Sequence, residues 1–312
     1  MTQSPVLLIL AVDHRASLER DVYGLTAPPT PAQAARISAD KLLAYQALLD
    51  AAGRLPAGAQ PGVLADEQYG AGVAELASRT AGAISVGMPI EASGQDWFGF
   101  AYGDDWQQHA GFFATDQAKV LVRDNPGLDP ALREQQARRL AQVSAWATGS
   151  GRPLIVELLV PATGADRDAV SGSQRRYDDE VRPGHTLAVM EYLQDRGVDP
   201  AIWAVEGVDR HDDAVSVAAA AQRGGRQARC LVLGRHAPQD TLEHWLEVAA
   251  PIPGWAGFAI GRGIWQDPLH THLHHLCTAG EARRRIANTY LNYGRYYLRA
   301  RAGTLTEPEP EL

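Results

Sequence analysis

Of the 29 basic residues in this chain only two are lysines, Lys41 and Lys119, and Lys119 stands inside "AKVLVR", a run that otherwise reads as a buried strand. An ammonium there must be paired or neutralised, because desolvating it alone costs several kcal/mol (about 3–5 when a partner is removed). Glu157 occupies a similar position in "IVELLV", flanked by aliphatics. The two can form a buried structural salt bridge. They can equally form an amine and a carboxylate that shift each other's pKa, the condition for proton transfer near neutral pH. Other charges follow apolar runs: Asp13, His14 and Arg15, then Asp66, Glu67 and Gln68, then Arg123, Glu206, Arg235 and Arg262. Gly234–Arg235 and Gly261–Arg262–Gly263 each place glycine beside arginine. Glycine lets backbone N–H groups approach an anion and arginine adds a bidentate fork, so the pair predicts a phosphate cradle, with ordinary strand-exit turns as the plain alternative. Asp66 and Asp209 read as helix caps.

The elements that must position these residues alternate short β-branched runs with amphipathic stretches. Eight strands are predicted at 6–13, 62–66, 82–88, 118–123, 153–160, 201–207, 228–234 and 254–261, with helices at 31–52, 129–149, 179–197, 210–223, 238–249 and 279–301. That pattern specifies an α/β fold, a (β/α)8 TIM barrel, as one domain over residues 1–302. The strand-end charges then converge on one mouth. Arg123, four residues after Lys119, shares its face and is expected to supply a neighbouring cation, whereas Lys41 is expected on the outside of the first helix. The aromatic, Gly-rich stretch 88–116 reads as an excursion over the mouth, and the acidic, Pro-rich 303–312 as a frayed tail.

A formal charge of −8 and a pI near 5.7 argue against nucleic acid and anionic membrane as partners. Cys230 and Cys277 lack any CxxC spacing, and "MTQSPVLLILAVDHR" lacks a basic leader and cleavage site, so a cytoplasmic protein without structural zinc is expected. His270 and His274 in "HTHLHHL" have helical spacing but no HExxH glutamate, so a solvated helix is preferred to a metal site. No cofactor is expected, and a homo-oligomer is left open.

Taken together, "ILAVDHRASL", "GVLADEQYGAG", "AKVLVRDNP", "VELLVPAT", "YDDEVRPG", "IWAVEGVDRHDD", "CLVLGR" and "GFAIGRGIWQDPL" resemble the 5-dehydro-2-deoxyphosphogluconate aldolase domain, which in many bacteria is fused to the inositol-pathway sugar kinase. The resemblance covers residues 6 to 297 and extends, more distantly, to tagatose-1,6-bisphosphate aldolases. It implies a class I aldolase-like barrel that cleaves a phosphorylated keto sugar acid to dihydroxyacetone phosphate and malonate semialdehyde through a lysine imine. Asp13 and Arg15 then fall on the strand-one polar motif, Lys119 on the strand-four lysine, Glu157 on the proton-transfer acid, and Arg235 and Arg262 on the phosphate side. Glu67, Arg123 and Glu206 join the substrate-binding set. One position departs from the pattern: where the imine-forming lysine should precede "VEG" stands Ala204. Three routes remain open: an imine relocated to Lys119, which needs its pKa depressed well below about 10.4; non-covalent isomerase or epimerase chemistry with Glu157 as base; or phosphosugar binding without turnover.

Overall fold

A computed structural model describes residues 5–80, 82–113 and 115–305. Eight strands, β1 (Val6–Ala11), β2 (Ala59–Leu64), β3 (Ser85–Pro89), β4 (Gln117–Arg123), β5 (Leu154–Leu159), β6 (Ile202–Glu206), β7 (Arg229–Leu233) and β8 (Trp255–Ile260), pair in chain order and close into a barrel. Every neighbouring pair is parallel, and β1 completes the ring against β8. The expected (β/α)8 barrel is therefore the fold.

Both faces of the sheet are covered, which is why the strands read as nearly continuous apolar runs rather than as alternations. In β1, Leu7, Ile9 and Ala11 enter the inner core with Leu64, Ile155, Ile202, Ala204, Leu231 and Ala259. Val6, Leu8 and Leu10 face the other way, into the layer between strands and helices. At the closing seam Gly257 has φ near +140°, and a Cβ there would lie 1.8 Å from the Leu7 carbonyl oxygen, so only glycine lets β8 approach β1.

The two longest helices start where the chain supplies caps. Pro31–Ala52 opens with a Thr30/Gln33 capping box and a proline in its first turn; Ala279–Ala302 opens with a Thr278/Glu281 box and stops at Gly303, φ 71°. Tyr290 of the last helix donates to the Leu8 carbonyl at 2.7 Å and fastens that helix to β1. Asp66 caps Glu67–Ser78 as expected, accepting from Tyr69 N. Asp209 does not cap. Arg210 holds the N-cap position of His211–Ala221, so Asp209 lies one residue too early and accepts from Trp245 Nε1 at 2.7 Å instead.

Between β3 and β4 the chain makes an antiparallel bridge, Glu91 to Phe100, and then the short helix Trp106–Phe112. Phe100 stacks on Trp106 there, and Phe98 and, from the helix Pro130–Gly149, Trp146 meet that pair edge-on, which gives the aromatic residues of the stretch a packing role. The acidic tail falls outside the described residues from 306 onward. Among those described, no helix is long and apolar enough to cross a membrane.

Candidate active site

Lys119 and Glu157 do converge, and they are not alone. The Lys119 ammonium lies 2.9 Å from Asp13 Oδ2, 3.0 Å from Glu91 Oε1 and 2.8 Å from Glu157 Oε2, pairing with all three carboxylates and donating hydrogen bonds to the first two. Burial is the strongest single influence on this amine and opposes its charge, but Asp13, Glu157 and Glu91 together outweigh it and hold its pKa well above the ordinary lysine value. The expectation of a depressed amine is thus corrected: carboxylates, not a cation, surround Lys119. Arg123 faces the same cavity but donates to the Gln95 carbonyl at 3.1 Å.

The three acids differ. Burial pushes Asp13 upward, yet Lys119, His14 and Arg15 hold it well below the carboxylate range. Glu157 goes the other way: burial raises it, Asp13 and Glu91 add to the rise, and Lys119 offsets only part of it. Glu157 is also the acid with access to the cavity, its side chain 23% exposed against 7% for Asp13 and 6% for Glu91. His14, packed edge-on against Trp265, is pushed down to about 4 by burial and by Arg262, Lys41 and Lys119, and is neutral at pH 7.

These groups floor a cavity of about 320 Å³ at the C-terminal ends of the strands. Asp13, Arg15, Lys119, Arg123, Glu157, Gly234, Arg235, Gly261 and Arg262 line it, with Glu91–Phe98 of the excursion arching over one side. Both glycines are needed for close approach. A Cβ on Gly261 would meet Ala11 O at 2.6 Å and His14 Cε1 at 2.7 Å, and one on Gly234 would meet Ile260 at 3.0 Å. The helix Arg262–Leu273 begins at Gly261 without a side-chain cap, and Gly261 and Arg262 are part of the cavity wall. Arg235 and His236 are both left-handed, φ 46° and 57°, a strained exit from β7. The Arg235 guanidinium is fixed by Asp178 at 3.0 Å and Glu206 at 2.8 Å, whereas the nearest carboxylate to Arg262 is Asp21 at 3.8 Å.

Four sequence-predicted positions stand back from the cavity. Glu67 opens a helix and turns outward to His109 Nδ1, 3.0 Å away, under a Tyr102–His109 stack. Glu206 accepts from Val160 N and positions Arg235 without reaching the cavity. Gly263 is exposed in the first turn of its helix. Ala204 lies in the inner core, paired in register with Glu157 and Leu231. Lys41 is also corrected. Its helix is the outer one, but the ammonium is buried, donating to His14 O at 2.8 Å and to Asp66 Oδ2, with burial lowering its pKa. It braces the β1 loop from behind. Glu91 was missed, although the reasoning that selected strand-end charges would have found it two residues beyond β3. His270 and His274 stack on an exposed helix end with ring centroids 4.2 Å apart, and among the described residues no group of three His, Cys, Asp or Glu side chains is arranged to hold a metal.

With this geometry in hand, comparison with known proteins is informative. The model of the family described as "Uncharacterized protein conserved in bacteria (DUF2090)" matches residues 1–301. The chain belongs to that family. No curated protein sequence matches this DUF2090 chain. Among solved structures it is similar to the fructose-bisphosphate aldolase of Plasmodium falciparum, determined in complex with TRAP and a small-molecule inhibitor: TM-score 0.62, 14% identity, 92% of this chain and 90% of that one. It is also similar to Cgl0159 of Corynebacterium glutamicum (Brevibacterium flavum): TM-score 0.53, 18% identity, 92% and 86% covered. At such identities the likeness is one of fold. These matches bear out the family and the (β/α)8 barrel; they do not reach the narrower resemblance to 5-dehydro-2-deoxyphosphogluconate aldolases.

Proposed function

We propose that this barrel is a cytoplasmic enzyme that moves a proton on a small phosphorylated sugar or sugar acid without forming an imine. One observation carries the reading: three carboxylates pair with the single amine of the cavity, and Glu157 is the one of them open to a ligand. An imine needs a neutral amine, and Lys119 is held charged. A carboxylate whose pKa is raised toward the working pH is a better proton carrier than an ordinary one. Glu157 is assigned the abstraction of a proton next to a carbonyl and its return. Neutral His14 can donate one ring N–H to the oxygen on which charge develops. Lys119 keeps Asp13 ionised and the acids in place. Arg262, Arg123 and the uncapped helix start at Gly261 are assigned the phosphate.

Incubation with candidate ketose and aldose phosphates in heavy water tests this. Deuterium should enter the recovered sugar with the native chain and not with Glu157→Gln; exchange that survives the substitution refutes the assignment. A second reading, carbon–carbon cleavage, is supported by the fold shared with a fructose-bisphosphate aldolase and by the strand-end motifs. Mass spectrometry of the same incubations separates the two: cleavage yields triose-sized products, proton transfer only isomers.

A further inference from the structure

The floor of the cavity holds a buried carboxylate oxygen that no donor of the protein reaches. Lys119 donates to Asp13 and to Glu91 and stands 2.8 Å from Glu157 Oε2 as an ion pair. Arg15 gives Nη2 to the Glu91 carbonyl at 2.9 Å and reaches Oε1 only at 3.4 Å, while its Nε has no hydrogen-bond partner. Glu91 Oε2 is left with no hydrogen-bond partner, although Glu91 is only 5% exposed and lines the cavity. Such an orphan costs about 1–3 kcal/mol unless a partner arrives. Glu157 gives one oxygen to Lys119 and turns its exposed side to the cavity. Ala11, Leu121, Leu159 and Leu233 add the apolar part of a lining that is otherwise largely polar. On the β6 side the register partner of Glu157 is Ala204, so no cation meets it there. At the rim stand Arg123, which donates to the Gln95 carbonyl, and Arg262, whose nearest carboxylate is Asp21 at 3.8 Å.

We infer that the ligand carries a protonated primary amine as well as a phosphate: a phosphorylated amino sugar or amino polyol, its ammonium against Glu157 and Glu91 and its phosphate at Arg262 and Gly261. A hydroxyl brings one proton and no charge. An ammonium brings three protons and a positive charge to set against the carboxylates. The inference rests on the rim being the phosphate end, as in the function proposed above.

Calorimetric titration of the full-length chain with glucosamine 6-phosphate and with glucose 6-phosphate tests it. The amine should bind more tightly by about tenfold or more, the scale of one charge-assisted hydrogen bond. Glu91→Gln, which keeps the size of the side chain, should bring the ratio close to one while affinity for glucose 6-phosphate stays within about twofold of native. That second affinity also reports that the variant is folded. If Glu91→Gln does not fold, Glu157→Gln carries the same test from the exposed side of the floor. Equal native affinities overturn the amine inference and leave the phosphate reading standing. A preference that persists in both variants overturns it too. Binding of neither sugar removes the phosphate reading, and the inference with it.

Discussion

Replacing Lys119 by Met deletes one side of a buried cluster and leaves its volume nearly unchanged, so the response reports electrostatics rather than packing. Three ion pairs of 2.8–3.0 Å are lost at once, and Asp13, Glu91 and Glu157 are left facing one another with only Arg15 and neutral His14 beside them. Removing one partner of a buried pair costs about 3–5 kcal/mol. The pH dependence gives the sharper test. In the native chain Asp13 is held below its unfolded value, so its contribution is present above that value and is lost as pH falls through the folded one. In Lys119→Met the crowded acids are raised above their unfolded values, and each contributes stability only while protonated, losing it as pH climbs. The difference between the two proteins is therefore largest near neutrality and narrows toward about pH 4–5, where the carboxyls of the variant take up protons. Urea unfolding of both proteins at about pH 5 and about pH 8, with equal m-values, measures it. A loss below about 1 kcal/mol at the higher pH, or one that does not change with pH, refutes the account of Lys119 as a charged hub.

Other outcomes follow from the same geometry. Arg262→Ala should weaken phosphorylated ligands by about 1.5–3 kcal/mol and unphosphorylated analogues far less, measured by calorimetry; equal losses refute the phosphate assignment. The acid limb of the pH–rate profile should lie above 4.5, the ordinary glutamate value, because Glu157 is raised and its carboxylate is the active form; a limb at or below that value refutes Glu157 as base. Borohydride with dihydroxyacetone phosphate should leave the native chain unmodified by mass, whereas Ala204→Lys places an amine beside Glu157 in the inner core and should trap an adduct. A native adduct on Lys119 refutes the charged state assigned to it.

Much of the fold can be read from the chain because each level of it agrees. The apolar runs are two-sided because strands are covered on both faces, and Thr30-Pro31 and Thr278 mark helix starts by chemistry local enough to see in four residues. The polar strand ends were legible for the same reason: a parallel barrel sends them all to one mouth. What sequence could not supply was direction and depth. Glu67 follows Asp66 into a helix and so turns outward, while Lys41 lies on a helix whose amphipathic pattern says surface but whose ammonium reaches back to Asp66. Glu91 sits in an aromatic stretch with no period, where nothing along the chain says that it folds down onto Lys119.

The sign of the Lys119 pKa is the clearest case, because it turns on a count of neighbours that only the folded chain provides. One carboxylate beside a buried amine leaves burial and attraction in close contest; three settle it for the charged form. Those acids pay attention to one another as well. Glu157 meets Ala204 across the sheet, shares its single cation with Asp13 and Glu91, and so keeps a raised carboxyl. The arrangement that holds Lys119 charged is thus the one in which the Glu157 carboxyl is raised above the ordinary glutamate value. An amine fixed as a cation cannot form an imine, while a carboxyl poised to gain and lose a proton can serve as acid and base in turn. The replacement of the expected lysine by Ala204 bears on both, since a second cation beside Glu157 would draw its carboxyl down and weaken its hold on the proton.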